Sequence, residues 1–394
     1  YVIYAPLAYT VYYKRTGANW TDAFATVQAA LAVATSGKEI WVAGATGAGQ
    51  TYLPTATTDR TIYHIALAGV NVYGGFAGTE ILRSSRNPDL YLTTLSGNVG
   101  GTEGTDGSYH VVSTNEAALA SPSLWDGFTI RGGVCNGSTS ALRRGGGVSS
   151  RGNLVLSNCK ITACKGFSTS GEGTALYAAG GNSIFNLSVS DCTLGLEAVS
   201  LVGEIYFNNI MVSGYASGVN SAGASILKLT TGPVNGRNLV ISGCTPGSGN
   251  NGRCLRIADG TNGTITNAVI TDNVGGGVIA AGIVAAAFTL DHATVTRNAM
   301  TGTGGGVYNL GASAGLVLTV TNSIVYGNTA SVAGNNMSTV TAENLVATYS
   351  DCEGGYGAGA GMIDTDPLFA AATDAIGPDL VWNTADDGLI PTAA

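Results

Sequence analysis

A seven-residue phrase recurs along the chain, and this recurrence limits the possible folds more than any other feature of the sequence. Asn322 to Asn328 reads "NSIVYGN", and Asn267 to Asn273 reads "NAVITDN". Both phrases place aliphatic residues in alternation with polar ones. Alternation with a period of two predicts a β-strand with one buried face.

Eight phrases of this kind can be aligned on a polar first residue. They begin at Asn158, Asp191, Asn209, Asn238, Asn267, His292, Asn322 and Asn344, with spacings of 33, 18, 29, 29, 25, 30 and 22 residues. Repeats of about this length are typical of solenoids, in which each strand buries its apolar face by stacking on the next coil. The sequence therefore predicts an all-β parallel solenoid.

Two further patterns indicate how the coils would stack. Asn273, Asn298 and Asn328 each lie six residues after a phrase start, so they are predicted to form a structural ladder of asparagines in successive coils. The sequence "GGGV" occurs three times, at 145–148, 275–278 and 304–307. Such runs predict tight corners that require positive φ.

One segment near the N-terminus has a helical pattern. Asn19 can cap a helix that extends to Ser36, its apolar face is formed by Phe24, Val27, Ala30, Leu31 and Ala34, and Gly37 would end it. The predicted organisation is a β-prone N-terminal segment at 1–18, a capping helix at 19–37, a parallel β-helix at 38–363 and an acidic C-terminal loop region at 364–394.

Composition excludes some classes of partner. The net charge of the 394-residue chain is −8, so we expect no nucleic acid partner. The sequence contains no run of about eighteen apolar residues, so no transmembrane segment is predicted. Five lysines in a chain of 59 glycines and many small polar residues favour a secreted or surface-exposed protein.

The cysteines predict no metal or redox motif. The seven lie at positions 135, 159, 164, 192, 244, 254 and 352, and no two of them form a Cys-x-x-Cys pair. In the phrase alignment Cys159 and Cys192 occupy the same position. They are interpreted either as stacked thiols in the core or as a disulfide between coils.

Several longer segments resemble one group of known proteins. These are "NWTDAFATVQAALAVATSGKEIWVAGA", "VNVYGGFAGTE", "TTLSGNVGG", "SYHVV", "WDGFTIRGG", "RRGGGV", "DTDPLF" and "GPDLVWNTADDGL". Together they resemble the pectate-lyase-like superfamily, and within it the secreted bacterial proteins with polymorphic-outer-membrane-protein-like repeats. The resemblance implies a right-handed parallel β-helix with an N-terminal capping α-helix, located outside the cell or on the bacterial surface. It leaves activity open, because this fold is used by lyases, hydrolases, adhesins and structural proteins.

A basic cluster is the candidate glycan-binding site. Lyases that cleave acidic polysaccharides need a base and a positive charge beside the substrate carboxylate. The basic residues of the first clear coils are Arg131, Arg143, Arg144, Arg151, Lys160 and Lys165. The alternative interpretation is that these are solvated loop residues of an otherwise acidic protein.

The acidic C-terminal region is the candidate metal site. Aspartates in loops with glycine and proline can bind calcium. Besides Asp364 and Asp366, the candidate ligands are Asp374, Asp379, Asp386 and Asp387. Ordinary turn chemistry is the alternative, and no cofactor other than calcium is expected.

The N-terminal segment is rich in tyrosine and strongly β-prone. The residues that would pair are Tyr1, Val2, Ile3, Tyr4, Tyr9, Val11, Tyr12 and Tyr13. Left unpaired, such a segment would promote aggregation. It is predicted either to add a strand to the first coil of its own chain or to complete the sheet of a neighbouring subunit, which would give a homo-oligomer or filament.

The sequence contains no recognisable catalytic set. The Gly-His-Gly and Arg-Ile-Lys motifs of polygalacturonase-like hydrolases are missing, and His292 occupies an asparagine position of the phrase, where it is interpreted as a ladder substitute. The predicted function is therefore that of a structural or adhesive protein without evident catalytic machinery. The alternative is a polysaccharide-binding protein, or a polysaccharide lyase that acts on an acidic glycan.

Overall fold

The computed structural model describes most of the chain and divides it into two compact units. The described residues are 2–3, 18–54, 58–100, 106–167, 171–218, 224–247, 252–311, 315–357, 359–370 and 389. Unit 1 comprises Tyr1–Tyr206 with Ala216–Gly218, and unit 2 comprises Phe207–Tyr215 with Val219–Ala394.

The regular secondary structure of unit 1 consists mainly of short parallel strands. Its described part has helix α1 (Val27–Leu31), 3-10 helices at Arg83–Ser85 and Ala141–Arg143, and the strands β1 (Val2–Ile3), β2 (Glu39–Ala43), β3 (Gln50–Tyr52), β4 (His64–Ile65), β5 (Asn71–Phe76), β6 (Thr93–Ser96), β7 (Val112–Ser113), β8 (Ser123–Asp126), β9 (Thr129–Arg131), β10 (Val148–Ser150), β11 (Leu154–Thr162), β12 (Leu176–Ala179), β13 (Asn182–Ser190) and β14 (Glu197–Val202). Strand β15 (Ile205–Ser213) follows at the boundary of the units in the sequence.

The strands of unit 1 pair in parallel from coil to coil. In the long sheet β1, β2, β5, β8, β11 and β13 follow one another, and β3, β6 and β9 form a second row that joins at β11. In the second sheet β4, β7, β10, β12 and β14 follow one another. Each coil of chain therefore contributes a strand to both sheets.

Unit 2 repeats this arrangement. Its described strands are β16 (Ser225–Thr230), β17 (Gly232–Ser242), β18 (Arg253–Ala258), β19 (Thr261–Thr271), β20 (Gly276–Ala281), β21 (Ala286–Thr296), β22 (Ala299–Met300), β23 (Val307–Asn309), β24 (Leu316–Thr321), β25 (Ile324–Tyr326), β26 (Thr329–Ala330), β27 (Met337–Thr339), β28 (Leu345–Thr348) and β29 (Asp351–Cys352), with a 3-10 helix at Ala342–Asn344. One sheet runs β17, β19, β21, β24 with β25, and β28 with β29, and the other runs β16, β18, β20, β23, β27. The predicted all-β class and parallel solenoid are confirmed.

Single residues with positive φ explain why the phrases begin with asparagine. In β11 the buried side chains include Leu156 before Asn158 and Ile161 after it, and Asn158 has φ of 49°. One residue in the left-handed region shifts the alternation by one, so both halves of the strand face the core. Asparagine adopts this conformation more readily than most residues. The same conformation recurs at Asn186, Asn209, Asn238, Asn267, His292, Asn322 and Tyr349.

The register corrects one predicted phrase start in unit 1. Cys159 of β11 pairs with Leu187 of β13, so Asn158 lies opposite Asn186. The phrase start predicted at Asp191 is therefore wrong. Asp191 also has positive φ, but it follows the strand instead of dividing it.

A second correction applies in unit 2. Thr321 pairs with Thr348, so the residue opposite Asn322 is Tyr349, and the start predicted at Asn344 is wrong. Asn344 instead ends a 3-10 helix before β28. In both cases a polar residue near the true position also fits the phrase pattern. The register itself is set by the apolar side chains that each strand buries on both sides of its left-handed residue.

Helix α1 is shorter than the sequence predicted. It begins after Thr26, whose Oγ1 accepts a hydrogen bond from Ala29 N at 3.1 Å, and not after Asn19. The Asn19 side chain accepts from Asp22 N at 2.9 Å and so closes a local turn, which competes with helix formation. Trp20 Nε1 donates to Glu80 O at 2.8 Å, and its ring lies beside those of Trp41 and Phe76, so the residues before the helix are held against the long sheet.

The cores of both units consist of aliphatic side chains with few aromatic ones. In unit 1, Trp125 and Phe128 are buried together, and Trp41 stacks on Phe76 with ring centroids 4.8 Å apart. In the described part of the chain no helix is both long and apolar enough to cross a membrane.

Candidate functional site

The inner corner of unit 2 contains a buried asparagine ladder. Asn273 Nδ2 donates to Asn298 Oδ1 at 2.8 Å, and Asn298 Nδ2 donates to Asn328 Oδ1 at 2.9 Å. All three side chains are almost fully buried. Each amide also donates to a backbone carbonyl of the preceding coil, so the ladder satisfies main-chain groups that would otherwise be unpaired.

The ladder extends beyond the three predicted residues. Asn328 Nδ2 donates to Asn336 Oδ1 at 3.0 Å, and Asn336 Nδ2 donates to Glu353 Oε2 at 2.9 Å. At the other end, Asn273 Oδ1 accepts from Cys244 N at 2.9 Å. A continuous chain of side-chain hydrogen bonds therefore connects successive coils of unit 2.

The cysteines lie in the same kind of buried position. All seven are buried and free. Cys164, not Cys159, lies next to Cys192, since Cys164 N donates to Cys192 Sγ at 3.4 Å, so the predicted equivalence of Cys159 and Cys192 is wrong and no disulfide joins them. Burial raises the pKa of Cys135 and Cys159 to about 12, which keeps these thiols protonated and unreactive near neutral pH.

Two of the predicted glycan-binding arginines form ion pairs within unit 1. Arg144 Nε donates to Glu172 Oε2 at 2.7 Å, and Arg151 Nε donates to Glu116 Oε2 at 3.0 Å. Both guanidinium groups also lie over the ring of Tyr177, at 5.0 and 5.1 Å from its centroid. Their charges are therefore compensated by neighbouring side chains.

The other predicted basic residues are dispersed. Arg143 donates to Gly137 O at 2.7 Å and lies over the Phe167 ring. Arg131 belongs to β9 and Lys160 to β11, both in the long sheet, whereas Lys165 bridges two coils through its backbone. Of the six residues, only Arg131 and Lys160 therefore belong to strands, and the others lie in a 3-10 helix or in the segments between strands.

Lys160 lines a groove on unit 1 of about 350 Å³, named the Lys160 groove here. Asn158 and Asn186 lie beside it, and their side chains are joined by a hydrogen bond of 2.9 Å. Asp89 lines the same groove. Lys160 is exposed, and among the described residues no carboxylate lies within ion-pair distance of its ammonium.

The N-terminal segment begins with a strand that pairs within its own chain. In β1, Val2 lies opposite Trp41 and Ile3 opposite Val42, in parallel register. For these two residues the pairing is the one expected from addition to the first coil of the same chain. The other predicted self-association residues, Tyr1, Tyr4, Tyr9, Val11, Tyr12 and Tyr13, lie outside the described residues.

We expect that deletion of residues 1–13 increases self-association. The deletion removes β1 and exposes the edge of β2 at Trp41 and Val42, and unpaired edges promote pairing between chains. Light scattering of the full chain, the deletion and a Val2→Pro/Ile3→Pro double variant would measure this. Loss of a pre-existing oligomer on deletion would instead support strand addition to a neighbouring subunit.

The predicted calcium ligands Asp374, Asp379, Asp386 and Asp387 also lie outside the described residues. Of the acidic residues just before them, Asp364 Oδ1 accepts from Gly354 N at 3.1 Å and Asp366 Oδ1 accepts from Leu368 N at 2.9 Å. Within the described ranges, no group of three or more His, Cys, Asp or Glu side chains is arranged to hold a metal ion.

A second groove, of about 510 Å³, lies on unit 2 and is named the Tyr349 groove here. One wall is formed where three neighbouring coils place their left-handed residues, His292, Asn322 and Tyr349. The other wall is the segment Gly361–Leu368, which is held by pairing of Ile363 with Asp351. The groove also contains Ser323, Ile324, Ser350, Thr365, Asp366 and Pro367.

The three histidines differ in environment. His292 is exposed, and its Nδ1 lies 2.8 Å from Asp291 Oδ1. His110 is buried, and its Nδ1 lies 3.1 Å from Gly145 O. His64 is fully buried, neither of its ring nitrogens has a hydrogen-bond partner among the described residues, and this burial lowers its pKa from 6.5 to about 4.

His64 should make the fold sensitive to acid. The unfolded chain binds a proton at His64 near pH 6.5, whereas the folded chain binds it only near pH 4. The stability that neutral His64 contributes is therefore complete above pH 6.5 and is lost as the pH falls towards 4. As the pH falls from 6.5 to 4, we expect the Tm of His64→Leu to rise relative to the Tm of the natural chain. Above pH 6.5 we expect the difference between the two Tm values to be constant. Parallel Tm curves in the two proteins would contradict the expectation.

Comparison with known proteins adds little to these observations. No protein-family model matches the chain, and no curated protein matches it. Among solved structures, the chain is similar to the A-module of mannuronan C-5 epimerase AlgE6 from Azotobacter vinelandii, with 12% identity, a TM-score of 0.25, and coverage of 83% of this chain and 94% of that chain. At this TM-score the likeness carries no argument, so the fold rests on the strand pairings described above.

The Tyr349 groove was not predicted from the sequence. The sequence identifies His292 only as a substitute for asparagine at a phrase start, and it does not identify Tyr349, because the phrase pattern also fits a start at Asn344. His292 and Tyr349 occupy the left-handed position at which the other coils have asparagine. A correct register would therefore have identified them as the two residues that depart from this pattern. Asp351 carries no comparable signal, because its position in a groove depends on the chain segment that follows β29.

Proposed function

We propose that this chain is a structural or adhesive protein, secreted or displayed on a bacterial surface, of the kind with polymorphic-outer-membrane-protein-like repeats. The observation that carries the proposal is the hydrogen-bonded ladder from Cys244 through Asn273, Asn298 and Asn328 to Asn336. Such a ladder ties each coil to the next and gives a solenoid resistance to local opening.

The outward face of the unit 2 sheet supports the same role. Thr264 lies opposite Thr289, and Thr289 lies opposite Thr319. Thr348 Oγ1 donates to Thr321 Oγ1 at 3.1 Å in the adjacent row. A scaffold presents such flat rows of small polar side chains, whereas a lyase needs a cleft in which a Lys or Arg faces acidic groups.

A specific feature of unit 1 favours the second candidate, binding or cleavage of an acidic glycan. The Lys160 groove is lined by this cation and also by Asp89, Asn158 and Thr129. In a lyase Lys160 would be the general base that removes the proton next to a uronate carboxylate.

Incubation with polygalacturonate and with alginate tests the two candidates against each other. The scaffold proposal predicts no rise in ultraviolet absorbance from an unsaturated product. A rise that Lys160→Gln abolishes, but Lys165→Gln does not, would overturn it in favour of the lyase. Binding without cleavage that depends on Lys160 in the same way would favour the glycan-binding protein.

The adhesive part of the proposal needs its own measurement. Beads coated with the chain should attach to bacterial envelopes, and beads coated with the unfolded chain should not. Equal attachment of both preparations would argue against a role for the folded surface.

A further inference from the structure

The lining of the Tyr349 groove has an unusual charge balance. Its charged side chains are the carboxylates of Asp351 and Asp366, and no Lys or Arg is among the described residues that line it. Asp364 lies near enough for its charge to act on Asp351. An anionic glycan would be repelled here, whereas a ligand with positive charge would be attracted.

Asp351 is a buried acid with unused hydrogen-bonding capacity. Its residue surface is 7% exposed, and its Oδ1 accepts a hydrogen bond from Thr365 N at 3.2 Å. Within the described chain the second carboxylate oxygen accepts no hydrogen bond, although the residue lines the groove. Burial, and then the charges of Asp364 and Asp366, raise its pKa. A donor with positive charge would satisfy this oxygen and reduce the repulsion among the carboxylates.

The groove also offers an aromatic and aliphatic surface. Tyr349 is 63% exposed. Its φ is 49°, a backbone conformation in which a bulky residue is uncommon. Ile363 and Leu368 in the opposite wall are also exposed. An exposed ring beside convergent polar groups is suited to a ligand with one apolar face and a polar rim, which describes a pyranose ring.

We propose that the Tyr349 groove binds an oligosaccharide of amino sugars. A pyranose face packs on the Tyr349 ring, and an ammonium substituent lies between the carboxylates of Asp351 and Asp366. Asn322 and His292 line the same wall and supply further hydrogen-bonding groups. The site is independent of the scaffold role, because it needs only the folded unit 2.

Titration calorimetry with a glucosamine hexamer, at a pH where its amines are protonated, tests the proposal. Binding should weaken at least tenfold in Tyr349→Asn and at least tenfold in Asp351→Asn. Asparagine is chosen at position 349 because most other coils have asparagine at the equivalent position with positive φ. The matched control Asp89→Asn removes a carboxylate from the Lys160 groove and should leave binding unchanged. Tyr349→Phe, which keeps the ring, should bind like the natural chain.

Two comparison ligands separate this site from simpler charge effects. The N-acetylated hexamer lacks the ammonium groups and should bind at least tenfold more weakly, and oligogalacturonate should not compete. Absence of glucosamine binding, equal binding of the acetylated hexamer, or binding that is unaffected by Tyr349→Asn would each overturn the proposal. Equal affinity for an oligolysine of the same charge would also overturn it, since the groove would then be selecting charge and not a sugar. Each of these results leaves the test of the scaffold role unaffected, because that test uses other ligands and the groove of unit 1.

Discussion

Replacement of Asn298 by Leu should destabilise unit 2 by about 3 kcal/mol or more, because it breaks a fully buried hydrogen-bond network at its centre. Asn298 Nδ2 donates to Ile270 O at 2.8 Å and to Asn328 Oδ1, and Asn298 Oδ1 accepts from Asn273. Leucine has a similar size but can make none of these bonds. The carbonyl of Ile270 and the amide of Asn273 would each lose a partner in a place without access to water.

The effect should be local as well as large. In a solenoid each coil contacts only its neighbours, so the loss should be greatest in the coils that carry Asn273 and Asn328. Hydrogen exchange of the backbone amides would show this directly, because the substitution should accelerate exchange at Ala299 more than at residues of β17. Denaturant unfolding would give the total change in the free energy of unfolding.

An outer asparagine supplies the control. Asn238 has φ of 56° and is partly exposed; its Nδ2 donates to Asn208 Oδ1 at 2.9 Å, and its Oδ1 accepts from Asn267 Nδ2 at 2.7 Å. Asn238→Gly keeps the backbone conformation and loses only bonds that water can replace, so we expect a loss of about 1 kcal/mol or less. A similar loss in Asn298→Leu and Asn238→Gly would show that the inner ladder is not an important source of stability.

The solenoid could be predicted from sequence because its cause is local. The alternation in β11 and β19 identifies each strand and its buried face without reference to any other part of the chain. The limits of helix α1 could not be predicted in this way. They depend on the bond between Trp20 and Glu80, which are 60 residues apart, and on competition from the Asn19 side chain.

The candidate sites depend on contacts that the repeat does not encode. The contact between Cys164 and Cys192 can be predicted only if the register between β11 and β13 is known. The Tyr349 groove needs in addition the pairing of Ile363 with Asp351, which is an isolated bridge outside the repeated strands. The arginines illustrate the opposite case. In the sequence Arg144 is a candidate for binding an anionic glycan, but in the structure it pairs with Glu172, which lies 28 residues away in the chain.

Replacement of Gly133 by Ala should have the other large effect, a loss of about 3 kcal/mol or more, at the upper end of what overpacking costs. A Cβ at Gly133 would overlap the carbonyl oxygen of Gly146. That carbonyl cannot easily move, because it accepts a hydrogen bond from Val111 N at 3.0 Å. Gly133 O is fixed as well, since it accepts from Lys165 N at 2.9 Å.

Two companion variants make this expectation specific. Gly47 has φ of 68° with no atom near its missing Cβ, so Gly47→Ala in the same unit should cost only about 1 to 2 kcal/mol of backbone strain. Val111→Ala should not rescue Gly133→Ala, because the obstructing atom is the backbone oxygen of Gly146 and not the Val111 side chain. Failure of Gly133→Ala to yield soluble protein while Gly47→Ala remains folded agrees with the expectation. Equal unfolding midpoints for the two alanine variants, or rescue by Val111→Ala, would contradict the expectation. Either result would mean that the coils can separate at this corner, so that the close contact with the Gly146 backbone is not the reason for glycine at position 133.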